Sequence, residues 1–259
     1  MNSYRRAVWD SALPWLLPVA LLIVWETTVR MGWASARLMP PPTTVASSFW
    51  GLLRSGEFMH HLGISLQRAL TGFAIGGGLG LVLGFLTGIS RTSFKVLDST
   101  LQMIRNIPHL AFIPIVILWF GIGETSKIFL IALGSIFPIY VNTTHGIRSV
   151  DRQLIEMGSV YGLDKRGLLR EVIIPGAMPS ILNGVRLGLG FMWLTLIVAE
   201  TIATTTGIGY LAMNAREFMM TDVVLVAILL YAILGKLSDF LTRRLERKML
   251  AWHPSYATI

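Results

Sequence analysis

Long apolar runs separated by short polar segments dominate the chain. A helix that spans a membrane needs about 20 mostly apolar residues. Five runs reach or approach that length, namely residues 13–29, 69–89, 127–144, 184–203 and 223–241. The first run follows Arg5 and Arg6 but has no small-residue cleavage site leading into a soluble domain, so we expect a retained helix and not an export signal.

A sixth run, residues 107–121, is short and contains Pro108 and Pro114, so its length alone also fits a re-entrant segment. The distribution of basic residues favours a full crossing. With six spans and an inner N-terminus, sixteen Lys and Arg lie inside and six outside, as the positive-inside rule requires. The outside six are Arg30, Arg37, Arg54, Arg68, Lys127 and Arg216. Without this span, the most basic loop would lie outside.

The pattern therefore predicts an all-α membrane protein with six transmembrane helices and both termini cytoplasmic. Residues 1–12 form a cytoplasmic N-terminus, and residues 13–259 form a single transmembrane domain. We expect a surface helix within residues 45–53, in the long outer connection 31–67. The inner connection, about residues 145–183, is too polar to lie in lipid.

The second span carries glycine at every fourth position: Gly72, Gly76, Gly80, Gly84 and Gly88. Glycines at this spacing line one helix face and let another helix backbone approach closely, which favours helix association in lipid. Two interpretations follow, namely packing within the subunit and a sliding surface for gate motion.

Composition supports a membrane protein and excludes several other classes. The 259 residues are 53% hydrophobic and 14% charged, with a mean hydropathy of +0.63. The net charge of +8 is spread over short segments and forms no single patch, which argues against nucleic-acid binding. Because cysteine is absent, disulfides and thiolate metal sites are excluded.

Signatures of catalysis are also missing from the sequence. The only Gly-Lys pair, Gly235-Lys236, is followed by Leu237, so the chain has no phosphate loop and does not hydrolyse ATP by itself. The sequence contains neither the H-E-x-x-H nor the G-x-S-x-G motif, which argues against an intramembrane hydrolase. A purely structural scaffold would need neither a basic inner loop nor polar groups within spans. We expect no catalytic residue, metal or cofactor.

The inner connection has the pattern of a helix, a turn and a second helix. Asp151 can cap the first helix, Gly162 can end it in a left-handed conformation, and Asp164 can cap the second. Pro175 would then stop the second helix or redirect it toward the membrane. A short rigid helix of this kind suits the docking of a soluble partner.

The same connection reads Glu156-Met157-Gly158, three residues, Gly162, nine residues, then Val172-Ile173-Ile174-Pro175. This resembles the E-A-A, x3, G, x9, I-x-L-P signature of permease subunits of binding-protein-dependent ABC importers. Met157, Gly158, Val172 and Ile174 depart from the strict form. The resemblance implies a type I importer permease (MetI-like) fold and a loop that docks in a groove of an ATPase subunit. It also implies two permease copies, two ATPase subunits and a periplasmic binding protein.

Further segments resemble the nitrate, sulfonate and taurine branch of that family over nearly the whole chain. They include Arg105-Asn106-Ile107-Pro108, Ala199-Glu200-Thr201, residues 211–218 and the tail 252–256. The last two are most similar to aliphatic sulfonate permeases, which implies a sulfonate substrate, with taurine or nitrate as the alternatives.

Ionisable and polar groups inside spans mark either a pathway or a paired internal contact. The pathway candidates are Asn142, Thr143, Glu200, Thr201 and Thr204. For Glu200 a structural hydrogen bond or ion pair is the other interpretation, because a carboxylate would repel an anionic substrate. Hydroxyl groups of residues 201–206 are better sulfonate ligands, since they donate without carrying charge.

Overall fold

The computed structural model describes the backbone of residues 2–202 and 204–252. Ala203, the end of the expected fifth span, and most of the tail 252–256 lie outside the described residues, as do the side chains of the N-terminal residues 1–12. Every regular element in the described part is helical. The α-helices are α1 (Asn2–Arg30), α2 (Pro42–Ser55), α3 (Glu57–Ile89), α4 (Arg91–Asn106), α5 (Ile113–Phe120), α6 (Glu124–Arg148), α7 (Arg152–Val160), α8 (Lys165–Gly167), α9 (Ile174–Thr201), α10 (Ile208–Glu217) and α11 (Thr221–Met249).

Within the described residues, four helices are long and apolar enough to cross a membrane: α3, α6, the continuous helix Lys165–Thr201 that includes α8 and α9, and α11. They contain the second, fourth and sixth predicted spans and residues 184–201 of the fifth. The first predicted span, residues 13–29, lies within the 29-residue helix α1.

The third predicted span begins at a sharp bend. Helix α4 ends at Asn106, and the part that follows, a 3₁₀ turn (His109–Phe112) and α5, is bent from it by 85°, which fits either a broken span or a re-entrant loop. Ile107 adopts an extended conformation, with φ −76° and ψ 124°, because Pro108 disfavours helical backbone in the residue before it. The total of six crossings therefore stays a prediction.

Helices α3, α6 and α9 form the centre of the fold, with α3 and α9 each packed along α6. Helix α11 covers α9, and α10 and α2 pack against α11. The largest apolar core lies where these elements meet and includes Ala69, Ile131, Leu196, Ile208 and Ala227.

The glycine face of α3 lies directly on α6. A Cβ atom added at Gly72 would lie 2.6 Å from Ile131 Cβ, and one added at Gly80 would lie 2.6 Å from the carbonyl oxygen of Ile136. Comparable overlaps occur at Gly76 with Ala132, at Gly84 with Thr143 and at Gly88 with Ile147. The absence of side chains on this face thus permits contact between the two backbones, as in other membrane helix pairs.

Both long connections are shorter than the apolar pattern predicts. Helix α2 contains the expected surface helix of residues 45–53, and α3 begins at Glu57 directly after Gly56. Helix α6 extends to Arg148, α7 occupies Arg152–Val160, and the helix that leads into the next span begins at Lys165. The predicted connections were too long because an apolar run marks only the central part of a helix. The polar residues at the helix ends were therefore assigned to the connections.

Candidate functional site

The connection between α6 and α9 folds as the predicted helix, turn and helix. Asp151 caps α7, with its Oδ1 accepting a hydrogen bond of 2.8 Å from the backbone N–H of Gln153. Asp164 caps the second helix by accepting a 2.8 Å hydrogen bond from the N–H of Gly167. We call residues 151–175 the helix–turn–helix segment.

Gly162 makes the turn between the two helices. Its φ angle is +85°, in the left-handed region that favours glycine. The N–H of Gly162 donates to the carbonyl of Ser159 at 3.1 Å, and the N–H of Leu163 donates to that of Gly158 at 3.0 Å. These two bonds are the pair that defines the Schellman ending of a helix. A Cβ atom added at Gly162 would meet no neighbour, so glycine is needed here for its backbone conformation alone.

The first helix of this segment packs by one face only. Gly158 is buried, and a Cβ atom added there would lie 2.8 Å from the side chain of Leu168. Glu156 and Met157 are exposed. At the tip of α7, Val160 is 87% exposed and Tyr161 is 82% exposed. Two large apolar or aromatic side chains are therefore presented to the surroundings from a capped, rigid helix.

Pro175 does not end the second helix. Residues Leu168–Ile173 form a π-helical turn, and Pro175 lies directly after it, in the first turn of α9. Helical backbone runs from Lys165 to Thr201, a stretch of 37 residues. The segment is thus continuous with a membrane-spanning helix.

Glu200 lies at the opposite end of that helix and is fully buried. Its carboxylate accepts hydrogen bonds from Ser65 Oγ at 2.7 Å, from Arg68 Nη1 at 2.8 Å and from the backbone N–H of Gly209 at 3.0 Å. The hydroxyl of Tyr231 approaches the same carboxylate at 3.2 Å. Helices α3, α9, α10 and α11 therefore meet at one carboxyl group.

Arg68 extends this arrangement to α6. Its guanidinium makes two bonds of 2.6 Å to the Glu124 carboxylate and donates to both the carbonyl and the hydroxyl of Thr206. Lys127 donates to Glu124 and to Thr204 Oγ1, each at 3.0 Å. We call Arg68, Glu124, Lys127 and Glu200 the charge cluster. Its two cations and two carboxylates balance, which lowers the cost of burying Arg68, Lys127 and Glu200, while the side chain of Glu124 is 57% exposed.

The loop that follows α9 wraps around Glu200. Gly207 has φ +110°, and a Cβ atom added there would overlap the Glu200 carboxylate. The N–H of Gly207 donates to His61 Nδ1 at 3.0 Å, and the N–H of Ile208 donates to Ser65 Oγ at 2.9 Å. Side chains of helix α3 therefore hold the loop by hydrogen bonds. The Glu200 carboxylate packs so closely against Gly207 that only glycine fits at this position.

The structure separates the sequence-derived pathway candidates. Glu200 and Thr204 belong to the charge-cluster network, and the Thr201 hydroxyl donates to the carbonyl of Val198. Thr143 is fully buried against Gly84, and its hydroxyl has no hydrogen-bond partner among the described residues. Asn142 differs, because it lines an open cavity between α6 and α9.

Arg68, Glu124 and Lys127 were not predicted as site residues. Both cations were counted among the six basic residues outside, with Lys127 at the start of the fourth apolar run. Both are buried, with Arg68 3% and Lys127 7% exposed. The burial of Arg68 could have been predicted from its position. Residue 68 lies four residues before Gly72, so it extends the every-fourth-residue glycine series and lies on the same buried face of α3.

Comparison with known proteins agrees with this architecture. Residues 76–251 match the family described as "Binding-protein-dependent transport system inner membrane component". A protein of Escherichia coli K12 named aliphatic sulfonates transport permease protein SsuC is 59% identical over 94% of this chain and 92% of its own. The taurine transport system permease protein TauC of the same organism is 37% identical over 90% of this chain and 86% of its own.

Among solved structures, a chain of an amino acid ABC transporter crystallised with histidines has a TM-score of 0.60 at 19% identity, covering 77% of this chain and 96% of that one. This likeness shows the fold of an ABC transporter permease. Together with the match over residues 76–251 and the 59% identical relative, it shows that the chain belongs to the family of binding-protein-dependent transport system inner membrane components, multi-pass proteins of the membrane.

Proposed function

We propose that this chain forms half of the transmembrane pathway of an importer for aliphatic sulfonates. Two copies pair around the pathway, two ATPase subunits supply the energy, and a periplasmic binding protein delivers the substrate. Identity to the sulfonate permease, 59%, exceeds identity to the taurine permease, 37%, which favours aliphatic sulfonates over taurine. Nitrate is the other alternative from the same branch.

The observation that carries the coupling role is the exposed tip of α7. Val160 and Tyr161 are 87% and 82% exposed, and Met157 is 52% exposed on the same short helix. Exposed apolar side chains on a capped, rigid element are typical of a protein-binding surface. We therefore assign the helix–turn–helix segment, with Glu156, Met157, Gly158, Gly162, Asp164 and Pro175, to the docking of the ATPase subunit.

Charge supports an orientation with this segment and both termini in the cytoplasm. Of the six basic residues expected outside, Arg68 and Lys127 are paired with carboxylates inside the helix bundle. Leaving out these two and, on the inner side, the paired Arg186 and the cavity-lining Arg105, four basic residues are expected outside and fourteen inside, so the bias that sets orientation is kept.

The continuous helix from Lys165 to Thr201 connects the docking segment to the charge cluster. A helix rises 1.5 Å per residue, so 37 residues extend over roughly 55 Å, longer than the hydrocarbon core. Movement of the ATPase subunits would displace one end of this helix and thereby shift the loop around Glu200 at the other. Alternating access follows from such a rigid connection.

Copurification tests the docking role. Glu156→Lys reverses an exposed charge on α7 and should reduce recovery of the ATPase subunit with the tagged permease. Glu217→Lys, at the exposed end of α10, is the matched control and should recover as much ATPase as the parent. Equal recovery of the ATPase subunit with both variants would mean that Glu156 is not part of the interface.

Uptake tests the substrate. Cells that lack their own sulfonate permease, but supply the matching ATPase and binding protein, should grow on an alkanesulfonate as the sole sulfur source once this chain is expressed. If the assembled complex restores uptake of taurine or nitrate and of no unsubstituted alkanesulfonate, the substrate assignment is wrong and the permease function stands.

A further inference from the structure

A cavity of about 250 Å³ opens beside the bend between α4 and α5. Arg105 and His109 line it from the two sides of that bend, Pro138 lines it from α6, and Leu187 and Phe191 line it from α9. Pro138 and Leu187 lie near the middle of their helices, so the cavity reaches the central depth of the spans.

Arg105 is the charged residue of this lining. It makes no ion pair, hydrogen bond or ring contact with any described residue, and the lining contains no carboxylate. Two arginines that lie between the helices are paired, namely Arg68 with Glu124 and Glu200, and Arg186 with Asp239. Arg105 is exposed, so its guanidinium is accessible at the mouth of the cavity, and its planar set of donors matches the oxygens of an anion.

Further donors lie around the same cavity. Asn142 uses one amide N–H for the carbonyl of Pro138, at 2.8 Å, and its oxygen accepts from Asn183, so a second N–H is available. His109 rests edge-on against Phe191, with ring centroids 5.7 Å apart. The remaining walls include Phe137, Leu187 and Phe191, which are apolar. The cavity thus combines a cationic end with apolar walls.

We propose that this cavity is the binding subsite for an alkanesulfonate within the permease, with Arg105 binding the sulfonate group and the apolar walls contacting the alkyl chain. The proposal rests on the proposed function and names the residues that determine its specificity. It differs from the sequence-derived expectation of a largely uncharged pathway with hydroxyl ligands near residues 201–206. Thr204 and Thr206 are engaged by Lys127 and Arg68 instead.

The test uses the whole complex, reconstituted with its ATPase and binding protein in vesicles, and measures uptake of octanesulfonate and ethanesulfonate. Arg105→Gln should lower uptake of both at least about tenfold, the effect of losing a hydrogen bond to a charged group. Lys95→Gln, an exposed cation on the same helix outside the cavity, is the control and should stay within about twofold of the parent.

A second variant tests the apolar wall without changing charge. Leu187→Trp narrows the cavity and should reduce octanesulfonate uptake several-fold more than ethanesulfonate uptake. A merely structural defect would lower both equally, and an equal loss would overturn the assignment of this wall to the alkyl chain. ATPase copurification with each variant shows that the complex is assembled.

The outcomes separate this proposal from the function on which it rests. If the parent complex takes up sulfonates and Arg105→Gln does so as well as Lys95→Gln, the subsite is wrong and the sulfonate importer stands. If the parent takes up neither sulfonate, the substrate class is wrong, and the subsite is overturned with it.

Discussion

Arg68 Nη1 lies 2.8 Å from Glu200 Oε1, and the two side chains are 3% and 0% exposed. They come from positions 132 residues apart in the chain. Because Arg68 also binds Glu124, this contact links α3, α6 and α9 at one place. The charge cluster is therefore a fixed point of the helix bundle, at the end of α9 remote from the helix–turn–helix segment.

Removing one partner of this pair should destabilise the protein severely. Glu200→Ala leaves Arg68 buried with only Glu124 as a counter-charge, and loss of one member of a buried ion pair costs about 3–5 kcal/mol. We expect a large fall in the thermal unfolding temperature of the purified protein in detergent. Glu217→Ala, an exposed glutamate on α10, should change it little.

A double variant shows whether the two charges act as a pair. Replacing Arg68 by Met and Glu200 by Leu together removes both charges. The loss of stability in the double variant should therefore be smaller than the sum of the losses in Arg68→Met and Glu200→Leu. Losses that simply add would mean that Arg68 and Glu200 contribute independently, contrary to the contact described.

Gly207 should be irreplaceable for two reasons that a control can separate. Its backbone, with φ 110° and ψ 168°, lies in a region that is almost confined to glycine, and an added Cβ atom overlaps the Glu200 carboxylate. Gly121 has a comparable backbone, with φ 73° and ψ −175°, and open space around it. Gly121→Ala should cost about 1–3 kcal/mol from strain alone.

Gly207→Ala should cost clearly more than Gly121→Ala, because the Glu200 side chain must also move. Thermal unfolding of the two variants in detergent gives the comparison. Equal destabilisation would mean that the loop after α9 can shift away from Glu200 without cost.

Several features follow from the sequence because they are local. The caps Asp151 and Asp164 and the left-handed Gly162 were predicted correctly, since each depends on a few neighbouring residues. The charge cluster was not predicted, because the partners of Arg68 lie far away in sequence. Apolar run length also placed Arg68 outside its helix, although α3 extends well beyond the apolar run that begins at residue 69.

The third predicted span shows another limit of periodicity. The pattern indicated one crossing over residues 107–121 but not the break before Pro108, where α4 and the part that contains α5 are bent by 85°. Proline was noted in this run, yet the direction of a bend depends on packing against other helices. Helix α10 was not predicted either, since ten residues with a mixed pattern do not identify a helix by themselves.

The glycine face of α3 provides a test with a neighbouring control. A side chain at Gly80 would meet the carbonyl oxygen of Ile136 at 2.6 Å, whereas one at Gly78 would meet nothing within 4 Å. Gly80→Leu should therefore lower stability in detergent by about 1–3 kcal/mol or more, the cost of overpacking. Gly78→Leu should leave it nearly unchanged, and similar losses in both would indicate a helix effect unrelated to contact with α6.

The turn at Gly162 should be needed for coupling and not for membrane insertion. Left-handed backbone costs most side chains about 1–2 kcal/mol, while asparagine adopts it more readily. An added side chain meets no neighbour, so the effect of substitution comes from the backbone alone. Gly162→Leu should disturb the Schellman ending of α7 and reduce transport-coupled ATPase activity, whereas Gly162→Asn should keep most of it. Binding-protein-stimulated ATP hydrolysis by the reconstituted complex measures this, with membrane levels of each variant as the control. If the leucine variant is stimulated as strongly as the asparagine variant, the conformation of Gly162 does not determine how the ATPase engages the permease.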